Sequence, residues 1–181
     1  MGGWRRSGLI LGAALCWSAA LLIGAVVGLP ERAAFTGVVI PGERPIAPEI
    51  GAVAPPFSGL TVAGERLDLW ALHGKPIILN FWATWCEPCA LEMPELQALY
   101  AERGAEQVRV LAVNLGEGAA QVQAWGQHFG LTFDLLLDPT QQVAALYHLR
   151  GQPSTYVISA EGVITHIFYG PTTAAALRGA L

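Results

Sequence analysis

Apolar and polar positions divide the chain into three unequal parts. From Leu9 to Leu29 there are 21 residues without a charge, and roughly 20 apolar residues span the hydrocarbon core of a bilayer. Arg5 and Arg6 precede this run and Glu31 follows it. Positive charge stays on the cytoplasmic side of such a segment. The pattern therefore predicts a cytoplasmic N-terminus over residues 1–7, a transmembrane signal-anchor helix over 8–29 bounded by Leu9 and Leu29, and everything downstream outside the cell membrane. A cleaved signal peptide, whose apolar region is shorter, and a buried core helix are the alternatives. Residues 30–46 follow as a stalk: six of the twelve prolines fall between Pro30 and Pro56, and proline-rich chain is extended and semi-rigid. A short strand is expected within it at Thr36–Ile40. Residues 47–181 read as one folded domain.

Within that domain the pattern alternates between strands and helices. Phe57–Val62 and Glu65–Leu69 flank Ala63-Gly64 as a hairpin. Leu69 to Lys75 gives a short helical turn ended by Gly74. Lys75–Ala83 is apolar on both faces, as a fully buried strand is. Glu87–Arg103 is helical and closed by Gly104, with Cys89, Met93, Leu96 and Tyr100 on one face and a kink expected at Pro94. Gln107–Asn114 is a strand, Ala119–Phe129 a helix, Phe133–Leu137 a strand and Thr140–Tyr147 a helix. Ser154–Ser159 and Val163–Phe168 are strands joined by Ala160-Glu161-Gly162, and Thr172–Leu181 is a last helix. Alternation of this kind gives an α/β sheet with helices on both faces. The last two strands are too closely joined to pair in any way but antiparallel.

Composition narrows the function. The chain has 181 residues, 53% hydrophobic and 13% charged, with a net charge of −4 and a single lysine, Lys75. No basic face is visible, which argues against a nucleic-acid partner. About 130–140 residues outside the apolar run suffice for one domain with its own core.

The candidate chemistry lies at Trp82-Ala83-Thr84-Trp85-Cys86-Glu87-Pro88-Cys89, between the buried strand and the helix that follows. Cys86 falls at the helix start, where unpaired backbone N–H groups and the helix dipole favour a thiolate. It should be the attacking sulfur, with a lowered pKa. Cys89, three residues on, lies on the same helix face and is placed to resolve a mixed disulfide formed at Cys86. Pro88 suits a helix's first turn. A zinc site needs four ligands, and the third cysteine, Cys16, sits within the first apolar run, where it reads as an inert apolar residue. A structural disulfide closing so short a loop would constrain little of the unfolded chain. A redox pair remains, and neither a metal nor another cofactor is implied. Glu92, three residues past Cys89, lies on its side of the helix. Burial and a neighbouring thiolate would raise its pKa and suit it to exchange protons with Cys89; a solvated surface glutamate is the alternative. His73, His128, His148 and His166 are scattered and read as structural or surface residues.

Together these residues resemble the thioredoxin-fold, membrane-anchored thiol-disulfide oxidoreductases of the TlpA and ResA type, with an AhpC/TSA-type, peroxiredoxin-like domain. The likeness is carried by 51–57 (GAVAPPF), 74–89 (GKPIILNFWATWCEPC), 92–95 (EMPE) and 151–158 (GQPSTYVI). It implies a mixed sheet flanked by helices with an N-terminal hairpin. It implies that Pro153 is a cis-proline facing the cysteine pair, whereas an ordinary turn proline is the plainer reading. It matches Glu92 to a buried glutamate that moves protons to the inner cysteine. Glu87 matches the family's Glu-Pro dipeptide and would tune the redox potential, or would serve only as a favourable charge at a helix start. Trp85 and Trp82 are expected beside the sulfurs and the partner surface, Trp82 equally as plain core.

The resemblance implies an extracytoplasmic, single-pass protein-disulfide reductase. Its partners would be disulfide-bearing proteins, the haem-site cysteine pair of apocytochrome c first among them, and a membrane thiol donor of the CcdA or DsbD kind. General disulfide reduction stands beside a dedicated role in cytochrome c biogenesis. A copper-binding assembly factor of the Sco kind would space its cysteines by three residues and add a histidine. A peroxiredoxin would need Thr where Ala83 stands. A non-catalytic redox sensor is the remaining alternative.

Overall fold

The computed structural model describes residues 44–181, one compact unit. The expected anchor with Leu9, Cys16 and Leu29, the strand at Thr36–Ile40 and most of the stalk lie outside the described residues. Among the described residues no helix is long and apolar enough to cross a membrane.

Seven strands form one mixed sheet. In chain order they are β1 (Ser58–Thr61), β2 (Arg66–Asp68), β3 (Ile77–Trp82), β4 (Arg109–Leu115), β5 (Asp134–Asp138), β6 (Ser154–Ile158) and β7 (Ile164–Tyr169). Across the sheet the order is β2-β1-β5-β4-β3-β6-β7. The helices are α1 (Glu87–Arg103), α2 (Ala119–His128), α3 (Gln142–Leu146) and α4 (Ala174–Ala180), with a 3-10 turn at Leu69–Leu72. Strands β3, β4 and β5 run parallel, while β6 pairs antiparallel with both β3 and β7, and β1 pairs antiparallel with β2 and β5.

The apolar run at 77–82 becomes a strand because both its faces are covered: all six residues of β3 are buried. Side chains alternate across a strand, so β3 feeds two cores. Ile78 and Trp82 join α1 through Cys89, Met93, Leu96 and Leu99, and join Val122 of α2 and Leu177 of α4. Ile77, Leu79 and Phe81 join Leu69, Leu111, Leu136, Tyr147 and Tyr156 on the opposite face. Tyr147 also donates from its hydroxyl to the Pro55 carbonyl oxygen at 2.9 Å, tying the segment before β1 to α3's end.

Helix α1 keeps the expected apolar face with one change of membership. Cys89, Met93 and Leu96 are fully buried, but Leu99 takes the last deep position and Tyr100 is only half-buried. The helix continues past Pro94, which is exposed, to Arg103. Gly104 closes the helix by donating its N–H to the Tyr100 carbonyl oxygen at 2.8 Å. In the β6–β7 turn Gly162 has φ +82, and a Cβ there would lie 2.4 Å from Nε2 of His73. The backbone of the turn therefore favours glycine, and any side chain there would have to displace the His73 ring.

Leu96 is the midpoint of the contact between α1 and the sheet. Leu96→Ala should destabilise the domain by about 2–5 kcal/mol, read as a lower midpoint in chemical denaturation of the oxidised protein.

Candidate active site

The parallel ladder of β3 and β4 ends at the pair Trp82 and Asn114, and the chain turns there into α1. Cys86 is the N-cap of α1. Its backbone is extended (φ −86, ψ 102), and its side chain accepts from the Cys89 N–H at 3.3 Å. That N–H is one of the groups a helix cannot satisfy internally. Cys86 and Cys89 are joined by a disulfide, so the structure is the oxidised form. Cys86 is 5% exposed and Cys89 fully buried. Of the two, Cys86 thus keeps slight exposure and Cys89 none.

One turn beyond Cys89, Glu92 is fully buried. Its carboxylate accepts from the Asn80 side-chain amide at 2.8 Å, from the Thr155 hydroxyl at 3.1 Å and from the Thr172 backbone N–H at 3.2 Å. The solvated alternative for this residue is thereby overturned, because α1 lies with this face on the sheet. Burial pushes its pKa above the ordinary 4.5, while the three hydrogen bonds pull against that rise. Asn80 is the polar member of the otherwise apolar β3, and its amide also donates to Thr155 Oγ1 at 2.8 Å. Its carbonyl oxygen has no partner. Asn80 and Thr155 lie within the stretches 74–89 and 151–158 without having been given a role there, and Thr172 lies outside them. The one signal in the sequence is an amide inside a run that is otherwise Ile, Leu, Phe and Trp.

The remaining predicted residues separate by exposure. Glu87 and Pro88 are exposed in the first turn of α1. Trp85 is 68% exposed beside Cys86, whereas Trp82 is fully buried and packs on Trp125 at 4.6 Å between ring centroids. Trp82 belongs to the same buried core as Cys86 and Cys89 and not to the surface. The Gln152–Pro153 peptide is cis. Phe81 pairs with Ser154 in the antiparallel ladder of β3 and β6. Pro153, one residue earlier, therefore lies at the end of the sheet from which Cys86 projects. A cleft of about 310 Å³ opens there, lined by residues 150–154 with Tyr169 and Gly170. A second, of about 490 Å³, shares Arg150, Gly151 and Gln152 with it. Among the described residues no three His, Cys, Asp or Glu side chains converge as a metal site.

A second acidic residue, Glu117, was not singled out by its sequence context. It is nearly buried at the end of β4, and it accepts from the Thr84 backbone N–H at 2.7 Å.

Comparison with known proteins gives these positions a context. Residues 50–167 match the AhpC/TSA family. The chain is 37% identical over 124 residues to the thiol-disulfide oxidoreductase ResA of Geobacillus kaustophilus, covering 68% of this chain and 71% of that protein. It is 40% identical over 126 residues to the thioredoxin-like protein YneN of Bacillus subtilis, covering 68% and 73%. Among solved structures, StoA from Bacillus subtilis superposes with a TM-score of 0.61 at 28% identity, over 72% of this chain and 98% of that one. A putative thiol:disulfide interchange protein DsbE from Chlorobium tepidum gives 0.67 at 28%, over 73% and 94%. The fold is thioredoxin-like.

A carboxyl whose pKa is raised by folding binds more protons folded than unfolded. Its contribution to stability is full below the ordinary 4.5 and is lost as pH rises through the raised value. Glu92→Gln removes that dependence. Denaturant titrations of the oxidised proteins from pH 4 to 8 should therefore show wild type losing stability relative to Glu92→Gln as pH rises.

Proposed function

The chain belongs to the AhpC/TSA family, and we propose that within it the protein is a membrane-tethered, extracytoplasmic thiol-disulfide oxidoreductase that reduces protein disulfides. Thiol-disulfide oxidoreductase chemistry is shared with its ResA-named relatives. The observation that carries the reading is a single arrangement. Cys86 caps α1 and keeps slight exposure, its disulfide partner Cys89 is fully buried, and a buried carboxyl lies one turn beyond Cys89.

The reaction begins with the reduced pair. The Cys86 thiolate attacks one sulfur of a substrate disulfide, a bond forms between them, and the substrate's other sulfur leaves as a thiolate that takes up a proton. Cys89 then gives its proton to the Glu92 carboxylate and attacks Sγ of Cys86. The Cys86–Cys89 bond forms, the mixed disulfide breaks, and the second substrate sulfur leaves. Two electrons pass to the substrate. The protein is left in the oxidised form described above, to be reduced again by a membrane thiol donor of the CcdA or DsbD kind. An oxidising compartment makes such a supply necessary.

The other residues take supporting parts. Glu87 places a negative charge beside the outer sulfur and tunes its potential, while Pro88 fits a first-turn position that needs no N–H. Trp85 offers an exposed aromatic surface next to Cys86, and Pro153 with the two clefts beside it receives an extended segment around the substrate disulfide. The haem-site cysteine pair of apocytochrome c is the substrate that the family resemblance favours. The N-terminal apolar run, kept as an anchor, holds the domain at the membrane where its electron donor resides.

Cys86→Ser should abolish reduction of insulin disulfides by the purified protein. Cys89→Ser should instead stop after the first step and accumulate mixed disulfides with natural partners in cells, read by non-reducing electrophoresis and mass spectrometry. Capture of nothing by Cys89→Ser would overturn the substrate-reduction reading, and the identity of what is captured tests apocytochrome c.

A further inference from the structure

Thr84 lies two residues before Cys86, in the turn from β3 into α1. It is held by a carboxylate from another part of the chain. Oε2 of Glu117 accepts from the Thr84 backbone N–H at 2.7 Å and from the Asn114 amide at 2.7 Å. Oε1 accepts from the Thr84 hydroxyl and from the Gln121 amide, the latter at 2.6 Å. Gln121 also donates to Thr84 Oγ1 at 2.8 Å. An ionised carboxylate accepts and does not donate, and has about four lone-pair sites. Four donors fill them here, and hydrogen bonds to a charged acceptor are the stronger kind.

The donors come from three elements: the turn after β3, the end of β4 and the first turn of α2. Gly116, at φ +76, bends the chain so that Glu117 points back at Thr84, and Gly118 opens α2 without a side-chain cap. The turn that Glu117 grips is itself closed by the Cys86 N–H, which donates to the Ala83 carbonyl oxygen at 3.2 Å. Thr84 therefore stands between the grip and Cys86 in the chain. We infer that Glu117 is a positioning residue for the dithiol: by holding Thr84 it fixes the turn in which Cys86 caps α1. The carboxylate does not enter the exchange, but it determines where the attacking sulfur stands relative to the helix N–H groups that favour its thiolate.

The inference rests on the reading of Cys86 as the attacking sulfur, and the experiment separates the two. Full-length wild type is compared with Glu117→Ala, Thr84→Val, the double variant and Cys86→Ser, with near-UV circular dichroism as the check on folding. Thr84→Val keeps the test open if Glu117→Ala does not fold, since it removes only the two bonds of the Thr84 hydroxyl and leaves the carboxylate bonded to the Thr84 backbone N–H. Two quantities are read: the rate of insulin disulfide reduction, and the pH midpoint of Cys86 alkylation in the reduced protein, separated from Cys89 and Cys16 by peptide mass spectrometry.

Glu117→Ala should slow reduction by about tenfold to a hundredfold, the scale on which a small misplacement of a reacting group is felt, and should raise the alkylation midpoint. Thr84→Val should change both in the same direction by less, and the double variant should be no worse than Glu117→Ala. Folded variants with wild-type rate and midpoint would overturn the inference. So would a midpoint that falls in Glu117→Ala, because the carboxylate would then act on Cys86 by its charge and not by holding Thr84. A wild type that reduces insulin no faster than Cys86→Ser defeats the reading of Cys86 instead, and the tether is then judged by the alkylation midpoints alone.

Discussion

A helix cannot satisfy the N–H groups of its own first turn, and in this protein one of them is given to a sulfur. The Cys89 N–H points at Sγ of Cys86 because Cys86 occupies the N-cap. The cap sits where it does because β3, buried on both faces, delivers the chain to the end of the sheet at Trp82. The rest of the domain supports that delivery. β4 and β6 flank β3, α1 packs its apolar face on the sheet, and the opposite core is closed by Tyr147 and Tyr156. A sulfur at a cap needs the strand before it and the helix after it to be immobile, and burial on both faces of the sheet makes them so.

Two acidic side chains flank this turn, and their surroundings differ in kind. Glu117 lies near the rim, and its two oxygens are filled by four donors that cross between elements. Such a site joins three elements of the chain through one side chain. Glu92 lies inside the core with three donors and no solvent. Its neighbours can satisfy the charged form, yet its burial opposes that form. In the roles proposed above, one glutamate would fix the dithiol in place and the other would move its proton.

Much of the domain was legible in the sequence because its strongest signals are physical necessities. A run such as Ile77-Ile78-Leu79-Asn80-Phe81-Trp82 has no exposed face to offer, so it had to be a central strand. The pair of cysteines at the strand-to-helix junction needed only periodicity to be placed at a helix start. What could not be read was lateral. Asn80 reads as a blemish in an apolar strand until the register sets it opposite Thr155 and the packing of α1 lays Glu92 over both. Glu117 reads as one more loop acid, because its partner Thr84 is 33 residues away in the chain and only the parallel pairing of β3 with β4 makes them neighbours. The placement of Leu99 in preference to Tyr100 has the same origin. Helical spacing admits either, and in the fold Leu99 is fully buried while Tyr100 packs edge-on against Phe133.

The balance at Glu92 explains why a buried acid belongs beside a dithiol at all. Removing a carboxylate from water costs several kcal/mol even after the protein relaxes. A hydrogen bond to a charged group returns about 1.5–3 kcal/mol, so three of them bring the ionised form close to break-even without clearly securing it. A group so poised responds to small changes nearby. In the oxidised protein Cys89 carries no charge. On reduction its sulfur becomes able to ionise one turn away, and two negative charges in one dry core repel strongly. In the proposed reaction the proton that leaves Cys89 passes to Glu92, whose burial favours the protonated form. An exposed glutamate at the same helical spacing would already be fully ionised and screened by water, and would gain little from the change in its neighbour. Burial, which costs stability, is what couples the acid to the sulfur.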